Sequence, residues 1–304
     1  MKLSVIIPTK DRGEVFDQTL RCAANSIRHL DAEVIVVNDS KTSEPKIPNE
    51  IQKVRLVNNP KQGVASARNT GVRESCGELL LFLDDDIMIS TESVNHVLNL
   101  HTQFINSCFN VNWEYPIAMQ KSMALTQFGR FMNTYQMTSF KGWYSDASWK
   151  DNALFQPKSV ASFHLSIFRK DFEKTKGYNE QFPHAGFEDY DFPIQLKEAG
   201  LSFYIDSRIT VFHNEADRMR LTNWLNSQEK RGKTRNVAVK IGYKELTLEY
   251  GFVKKNLLTL ILFFSGLILN SLKIIPNHKV FDPLYFKLTA ILQASRIFKG
   301  YTSQ

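Results

Sequence analysis

Cysteine is scarce in this 304-residue chain: Cys22, Cys76 and Cys108 are an odd number, scattered without metal-ligand spacing. That excludes a disulfide framework and a thiolate zinc site, and it fits a reducing compartment. Glycine and proline, at 14 and 10, are too few for a collagen-like or low-complexity chain. No internal repeat marks a solenoid. The opening MKLSVIIPTKDRGE has only a brief apolar run and no small-residue cleavage site, so it reads as a first strand rather than a signal peptide, and the catalytic part is expected in the cytosol. Most of the chain also lacks net charge. Residues 253–304 hold Lys254, Lys255, Lys273, Lys279, Lys287, Arg296 and Lys299 against the single acid Asp282, so +6 of the formal +7 lies there. Cations flanking the most apolar stretch suit an anionic membrane surface, and no nucleic-acid partner is expected.

What is present is a core-forming composition, 43% hydrophobic, with strand-like and helix-like patterns alternating over the first hundred residues. Strands are expected at 3–8, 33–37, 54–57 and 78–83, helices at 14–30 and 64–75, and a loop at 41–50 around Pro45 and Pro48. That alternation indicates an α/β fold with a parallel sheet, whose ligands bind beyond the carboxyl ends of the strands. The polar residues cluster there: Thr9 to Arg12, Asn38 and Asp39, and Asp84 to Asp86. Residues 109–160 are rich in aromatics, including Trp113, Tyr115, Trp143 and Trp149. They read either as core and loop packing or as an acceptor cleft whose rings stack on sugars. Further on, an amphipathic stretch ends at Gly200, and 202–206 and 209–213 look like strand.

Three groups carry chemistry. Asp84, Asp85 and Asp86 follow the apolar run LLLFL, and adjacent carboxylates repel unless a cation relieves them, so the cluster points to Mg²⁺ or Mn²⁺. The plainer alternative is that these acids cap a helix beginning near Ser90 and Glu92. Glu188 and Asp189 sit after Gly186, just before an expected helix, where a general base can face a cleft; Asp191 reads as a dipole-favoured acid of the first turn. His213 closes a strand in ITVFHNE, with a structural role and a ligand role both open.

These ordered motifs resemble the family 2 glycosyltransferases, inverting enzymes of the GT-A fold, over roughly residues 3–215. VIIPTKDR is similar to the family's opening strand and nucleotide loop, VIVVNDS to its base-binding segment, and NNPKQGVASARNTGVRESCGELLLFLDDDI to its helix, strand and DXD motif. YNEQFPHAGFEDYDFPIQL looks like the acceptor-side segment ending in the ED pair, and VFHN like the late histidine. The resemblance implies a Rossmann-like, mixed and mainly parallel sheet flanked by helices. It implies that Pro8, Thr9, Arg12 and Asp39 hold base and ribose, that Arg68 reaches base or phosphate, and that Asp84 and Asp85 lie near ribose or donor sugar. Asp86 would bind the Mn²⁺ or Mg²⁺ bridging the two phosphates, His213 would complete its coordination, and Asp189, with Glu188 beside it, would be the catalytic base.

Two departures bear on specificity: Phe163-His164 stands where many members have Gly-Asn, and Gln195 where an arginine often follows the ED pair. The Gln-x-x-Arg-Trp motif of processive members is replaced by Gln228-Glu229-Lys230-Arg231-Gly232, so single-sugar addition is expected. The division expected is 1–100 for the nucleotide-sugar half, 101–215 for the acceptor half, and 216–304 as a basic, apolar helical region. The charge-free run 256–272 would span about 26 Å as a helix, short of a roughly 30 Å hydrocarbon core. With a second amphipathic segment at 284–298, it reads as membrane-surface helices, a short or re-entrant insertion being left open and the alternative being helices packed on the catalytic domain. The function expected is transfer from a nucleotide diphosphate sugar, UDP-linked, to a lipid-linked sugar or glycan at the cytoplasmic face of a membrane. A catalytically inactive membrane-bound sugar-nucleotide or glycan-binding protein is the rival from another class. A nucleotidyltransferase is disfavoured because no glycine-rich basic phosphate loop follows the first strand.

Overall fold

The computed structural model describes residues 2–144, 148–216 and 219–303. The chain runs through β1 (Leu3–Thr9), α1 (Glu14–Ser26), β2 (Ala32–Asn38), β3 (Val54–Asn58), α2 (Val64–Glu74), β4 (Leu79–Leu83), β5 (Ile87–Met88) and α3 (Thr91–Gln103). Next come β6 (Ser107–Glu114), α4 (Ile117–Ala124), α5 (Gln127–Thr134), α6 (Phe140–Tyr144), β7 (Leu154–Phe155), β8 (His164–Phe168), α7 (Arg169–Phe172), α8 (Glu188–Glu198) and β9 (Ser202–His213). The last helices are α9 (Leu221–Lys240), α10 (Phe252–Phe263), α11 (Ser265–Ile274) and α12 (Asp282–Thr302). These form two compact units, one holding the chain up to Pro116 with Ser139–Pro183 and Glu188–Glu215, the other Ile117–Thr138, His184–Phe187 and the chain from Ala216 on.

The first unit is built on one mixed sheet in the order β3-β2-β1-β4-β8-β6-β9-β5, with β7 on β9. β1 to β4 are mutually parallel, β8 runs against them, and β6 and β9 are parallel to each other and antiparallel to β8 and β5 respectively. The carboxyl ends of β1, β2, β4, β6 and β9 therefore lie along one edge, and Thr9, Asp39, Asp84 to Asp86 and His213 stand at or just beyond those ends. β1 and β4 are buried at every position, as central strands covered on both faces must be. α2 packs closely on β1 because Gly71 has no side chain: a Cβ there would lie 2.2 Å from Ile6 Cγ2. The two strands expected at 202–206 and 209–213 form one long strand, β9, with a register shift against β6 between Val111 and Asn112.

In the second unit α9 and α12 pack closely through Gly232 and Gly300. A Cβ on Gly232 would lie 2.3 Å from the Ile297 carbonyl oxygen, and one on Gly300 would overlap that of Glu229. Gln228 is buried on α9 and accepts a hydrogen bond from Gln293 on α12. The segment matching the start of the processive motif is therefore a helix-packing surface, with no room for a ring at Gly232. Arg130 of α5 holds Asp282 of α12 with both Nε and Nη2, at 2.6 and 2.7 Å. α10 and α11 are separate helices bent by 62°, and among the described residues no single helix is long and apolar enough to cross a membrane.

Candidate active site

The sheet explains why distant acids meet. β5 pairs with the end of β9, placing Ile87 opposite His213, and the Asn214 amide donates to the Asp86 carbonyl at 2.7 Å. The backbone itself thus sets Asp86 beside His213. His213 Nε2 lies 3.2 Å from Asp86 Oδ1 and 3.9 Å from Glu215 Oε1, and one ligand atom from each of the three falls within 4.8 Å of the other two. The other oxygen of each carboxylate is already engaged: Arg12 Nη2 donates to Asp86 Oδ2 at 2.5 Å, and the Tyr115 hydroxyl to Glu215 Oε2 at 2.6 Å. Burial pushes the His213 pKa down, but Asp86 and then Glu215 outweigh it and hold the ring up at about 9. Two carboxylates and one imidazole are a donor set that fits Mn²⁺ or Mg²⁺. Sequence reasoning missed Glu215. Its signal was the spacing of two from His213, which puts both side chains on the same side of an extended chain.

The helix-cap alternative for the acidic triad does not fit. Ser90 caps α3, accepting from the Ser93 amide at 3.1 Å, with Ser93 bonding back. The triad serves three different partners instead. Asp85 accepts from the Thr9 hydroxyl at 2.8 Å and lies 3.3 Å from Arg12 Nε, Asp86 joins His213, and Asp84 accepts from Arg68 at 2.8 Å. The structure thus turns Thr9 and Arg12, implied to hold the nucleotide, toward Asp85 and Asp86.

Arg68, implied to reach base or phosphate, is placed differently. It lies inside the protein with a 2% exposed side chain, donating to Glu188 Oε1 at 3.0 Å as well as to Asp84, with Asp189 Oδ1 at 3.8 Å and the Tyr178 ring beneath it. An arginine amid three carboxylates is held by charge-assisted bonds and is already committed. It ties the end of β4 to the start of α8. Glu188 and Asp189, expected just before the helix, form its first turn, and Asp191 is buried there, bonded by Gln195 at 2.6 Å. Gln195 also bonds the Lys176 amide and the Gly177 carbonyl, so it organises the turn below the site.

Asp189 keeps 29% side-chain exposure. Its Oδ1 accepts from the Ser162 hydroxyl and from the Ser162 amide at 3.3 Å, and among the described residues Oδ2 has no partner. Burial raises the Asp189 pKa above the usual carboxylate range, with Arg68 and Ser162 pulling against it. The result is one anchored oxygen and one available oxygen. Ser162 is a second residue that sequence reasoning missed, since only the fold brings it to α8.

On the side of β1 and β2, Asp39 accepts from the Gly63 amide at 2.9 Å and from Asn59 at 2.7 Å. Gly63 can present that amide because its φ of +125° is open to glycine. Pro8 is buried in β1 beside Val37. A cleft of about 410 Å³ opens next to them, lined by Thr9, Arg12, Asn38, Ser43, Pro45 and Lys46 among others. Neither Asp39 nor Pro8 joins the acidic clusters. The aromatic segment divides between its two readings: Trp113 and Tyr115 are fully buried, while Trp143 is half exposed with its ring 6.0 Å from that of His213. Phe163 is buried against Phe140, its carbonyl accepting from the Asp84 amide, and His164 is fully buried.

Comparison with known proteins agrees with this geometry. The family model described as glycosyl transferase family 2 matches residues 4–175. The chain is similar to validoxylamine A glucosyltransferase of Streptomyces hygroscopicus subsp. jinggangensis, 35% identical over 66% of this chain and 52% of that protein. It is also similar to the GalNAc(5)-diNAcBac-PP-undecaprenol beta-1,3-glucosyltransferase of Campylobacter jejuni, 25% identical over 69% of this chain and 64% of that protein. The shares of the first curated relatives that it spans run from 20% to 64%. Among solved structures, mannosyltransferase PcManGT from Pyrobaculum calidifontis in complex with GDP-Man and Mn²⁺ aligns with a TM-score of 0.56 at 12% identity, over 99% of this chain and 88% of that one. The strand order, the converging acids and the matched residues place the chain in glycosyl transferase family 2, with a GT-A fold.

Proposed function

We propose that the chain is a metal-dependent inverting glycosyltransferase that moves one sugar from a nucleotide diphosphate sugar, UDP-linked, to a lipid-linked sugar or glycan. The observation that carries this is a pair of polar sets: Asp86, His213 and Glu215 at the sheet edge as cation ligands, and Asp189 at the start of α8 as a carboxylate with one oxygen anchored and one free. A divalent cation on the first set supplies Lewis-acid stabilisation of the departing diphosphate. Asp189 Oδ2 takes the proton of the acceptor hydroxyl as its oxygen bonds the anomeric carbon. The bond from that carbon to the diphosphate breaks with its electron pair leaving on phosphate, and a single displacement inverts the centre. Asp39 and the adjacent cleft orient base and ribose, and half-exposed Trp143 offers a ring face to a sugar.

A lipid-linked acceptor is supported by the basic, apolar C-terminal helices and by the undecaprenol-linked substrate in the name of the Campylobacter relative. Single addition is supported by Gly232 in place of a ring. The test is a screen of sugar nucleotides with Mn²⁺, with Mg²⁺ and with chelator, using membrane lipid extracts as acceptor and mass spectrometry as readout. A product one sugar heavier, lost on chelation, is expected. Nucleotide binding without turnover of any donor would overturn the assignment in favour of a binding protein.

A further inference from the structure

The most apolar exposed surface of the molecule lies outside the site. On α10 and α11, Phe252, Val253, Phe263, Leu267 and Ile274 are 66–82% exposed, and Leu257 and Leu260 are 53% exposed. Val253, Leu257, Leu260 and Phe264 recur at helical spacing, which makes a stripe rather than scattered residues. A monomer in water does not keep such a surface without a partner. Around it stand the exposed Lys254, Lys255, Lys273 and Lys279, and no acid occurs between residues 250 and 281. Asp282, the next acid, is already held by Arg130.

We infer that this face of α10 and α11 docks on an anionic phospholipid bilayer and lies within one leaflet rather than crossing it. The lysines choose the partner. Two copies meeting through this face would bring like charges together, whereas phosphate headgroups neutralise the lysines while the stripe enters the acyl boundary. The bend sets the depth. Twelve residues of α10 rise about 18 Å and ten of α11 about 15 Å; bent by 62° the pair would reach about 28 Å end to end at most, short of a hydrocarbon core of about 30 Å. The opposite side is occupied: Leu258 and Leu272 are buried, and both helices pack on α12. Straightening into a span would undo that packing, and exposed Asn270 and Lys273 would have to enter hydrocarbon.

The test uses the full chain with extruded vesicles of phosphatidylcholine, with or without phosphatidylglycerol, in flotation. Binding to phosphatidylglycerol vesicles that weakens but persists at high salt is expected. Phe263→Asp with Leu267→Asp should lower partitioning at least tenfold at any salt. Lys254→Glu with Lys255→Glu should lower only the low-salt binding, with far-UV dichroism showing both variants folded. With Cys22→Ser and Cys76→Ser as background, single cysteines at Gly251 and His278 should both react with an impermeant maleimide added outside the vesicles. Protection of either one would mean a span and overturn the single-leaflet placement. A chain that ignores anionic vesicles and forms a dimer abolished by the Asp pair would overturn lipid docking in favour of a second copy. Vesicle binding without turnover of any sugar nucleotide would sink the proposed transfer reaction and leave the docking surface standing.

Discussion

Replacing Arg68 by Met removes the cation bonded to Glu188 at 3.0 Å while keeping much of the length and bulk of the side chain. Arg68 and Glu188 are 2% and 1% exposed, so the lost interaction is a buried one, and breaking such a pair costs about 3–5 kcal/mol. The contact to Asp84, at 36% exposure, is screened by water and adds little. A urea titration at pH 8 followed by tryptophan fluorescence should show a loss in that range. Replacing both members, Arg68→Met with Glu188→Met, should recover much of the loss, because the uncompensated charge is gone. A loss under about 1 kcal/mol in the single variant, or losses that simply add in the double, would refute the idea that this pair fastens α8 to α2.

Other expectations follow from single contacts. Ser162→Ala removes a hydrogen bond to ionised Asp189, so its pKa should rise and the acid limb of kcat/KM should move to higher pH, with kcat down about tenfold and the donor KM steady. Tyr115→Phe removes the hydrogen bond to Glu215 Oε2 and should weaken Mn²⁺ binding, read by calorimetry without substrate, about 10–100-fold. His101 and His164 are buried and neutral, with burial pushing their pKa values down to about 3 and about 4 from 6.5. The unfolded chain binds these protons first, so stability is complete above pH 6.5 and falls on acidification, by about 1.4 kcal/mol per pH unit for each group until its folded pKa is reached. Urea midpoints measured from pH 7 to 4 check this, and a flat profile would contradict it.

Local pattern revealed the first hundred residues well, because buried parallel strands and amphipathic helices leave periodic signatures in the chain itself. β1 to β4, α1 and α2 lie within a few residues of their expected bounds. The acidic triad and the ED pair were legible for a related reason: adjacent like charges are costly and therefore conspicuous. The partners were not. Which carboxylate oxygen Arg12, Tyr115 or Ser162 holds depends on the pairing of β5 with β9 and on the placement of α8, contacts between residues more than a hundred positions apart in the case of Ile87 and His213. Arg68 shows the limit most clearly. In sequence it is one arginine in a polar helix, and only the buried face of α2 turns it from solvent toward Glu188. In the C-terminal helices, composition marked the basic and apolar character, but the bend at Phe264, beside the Ser265-Gly266 pair, was not read from it.

The central claim is that one sheet edge carries two separable devices, a cation site for the donor and a base for the acceptor. The most direct measurement compares Asp189→Asn and Asp86→Ala on the donor that the screen identifies, recording transfer rate and nucleotide affinity with and without Mn²⁺. Asp189→Asn should lose about 10²–10⁴-fold in transfer while binding the nucleotide normally with metal present, and Asp86→Ala should lose the Mn²⁺ dependence of nucleotide binding itself. Near-normal transfer by Asp189→Asn, or unchanged metal-dependent binding in Asp86→Ala, would contradict that division of labour.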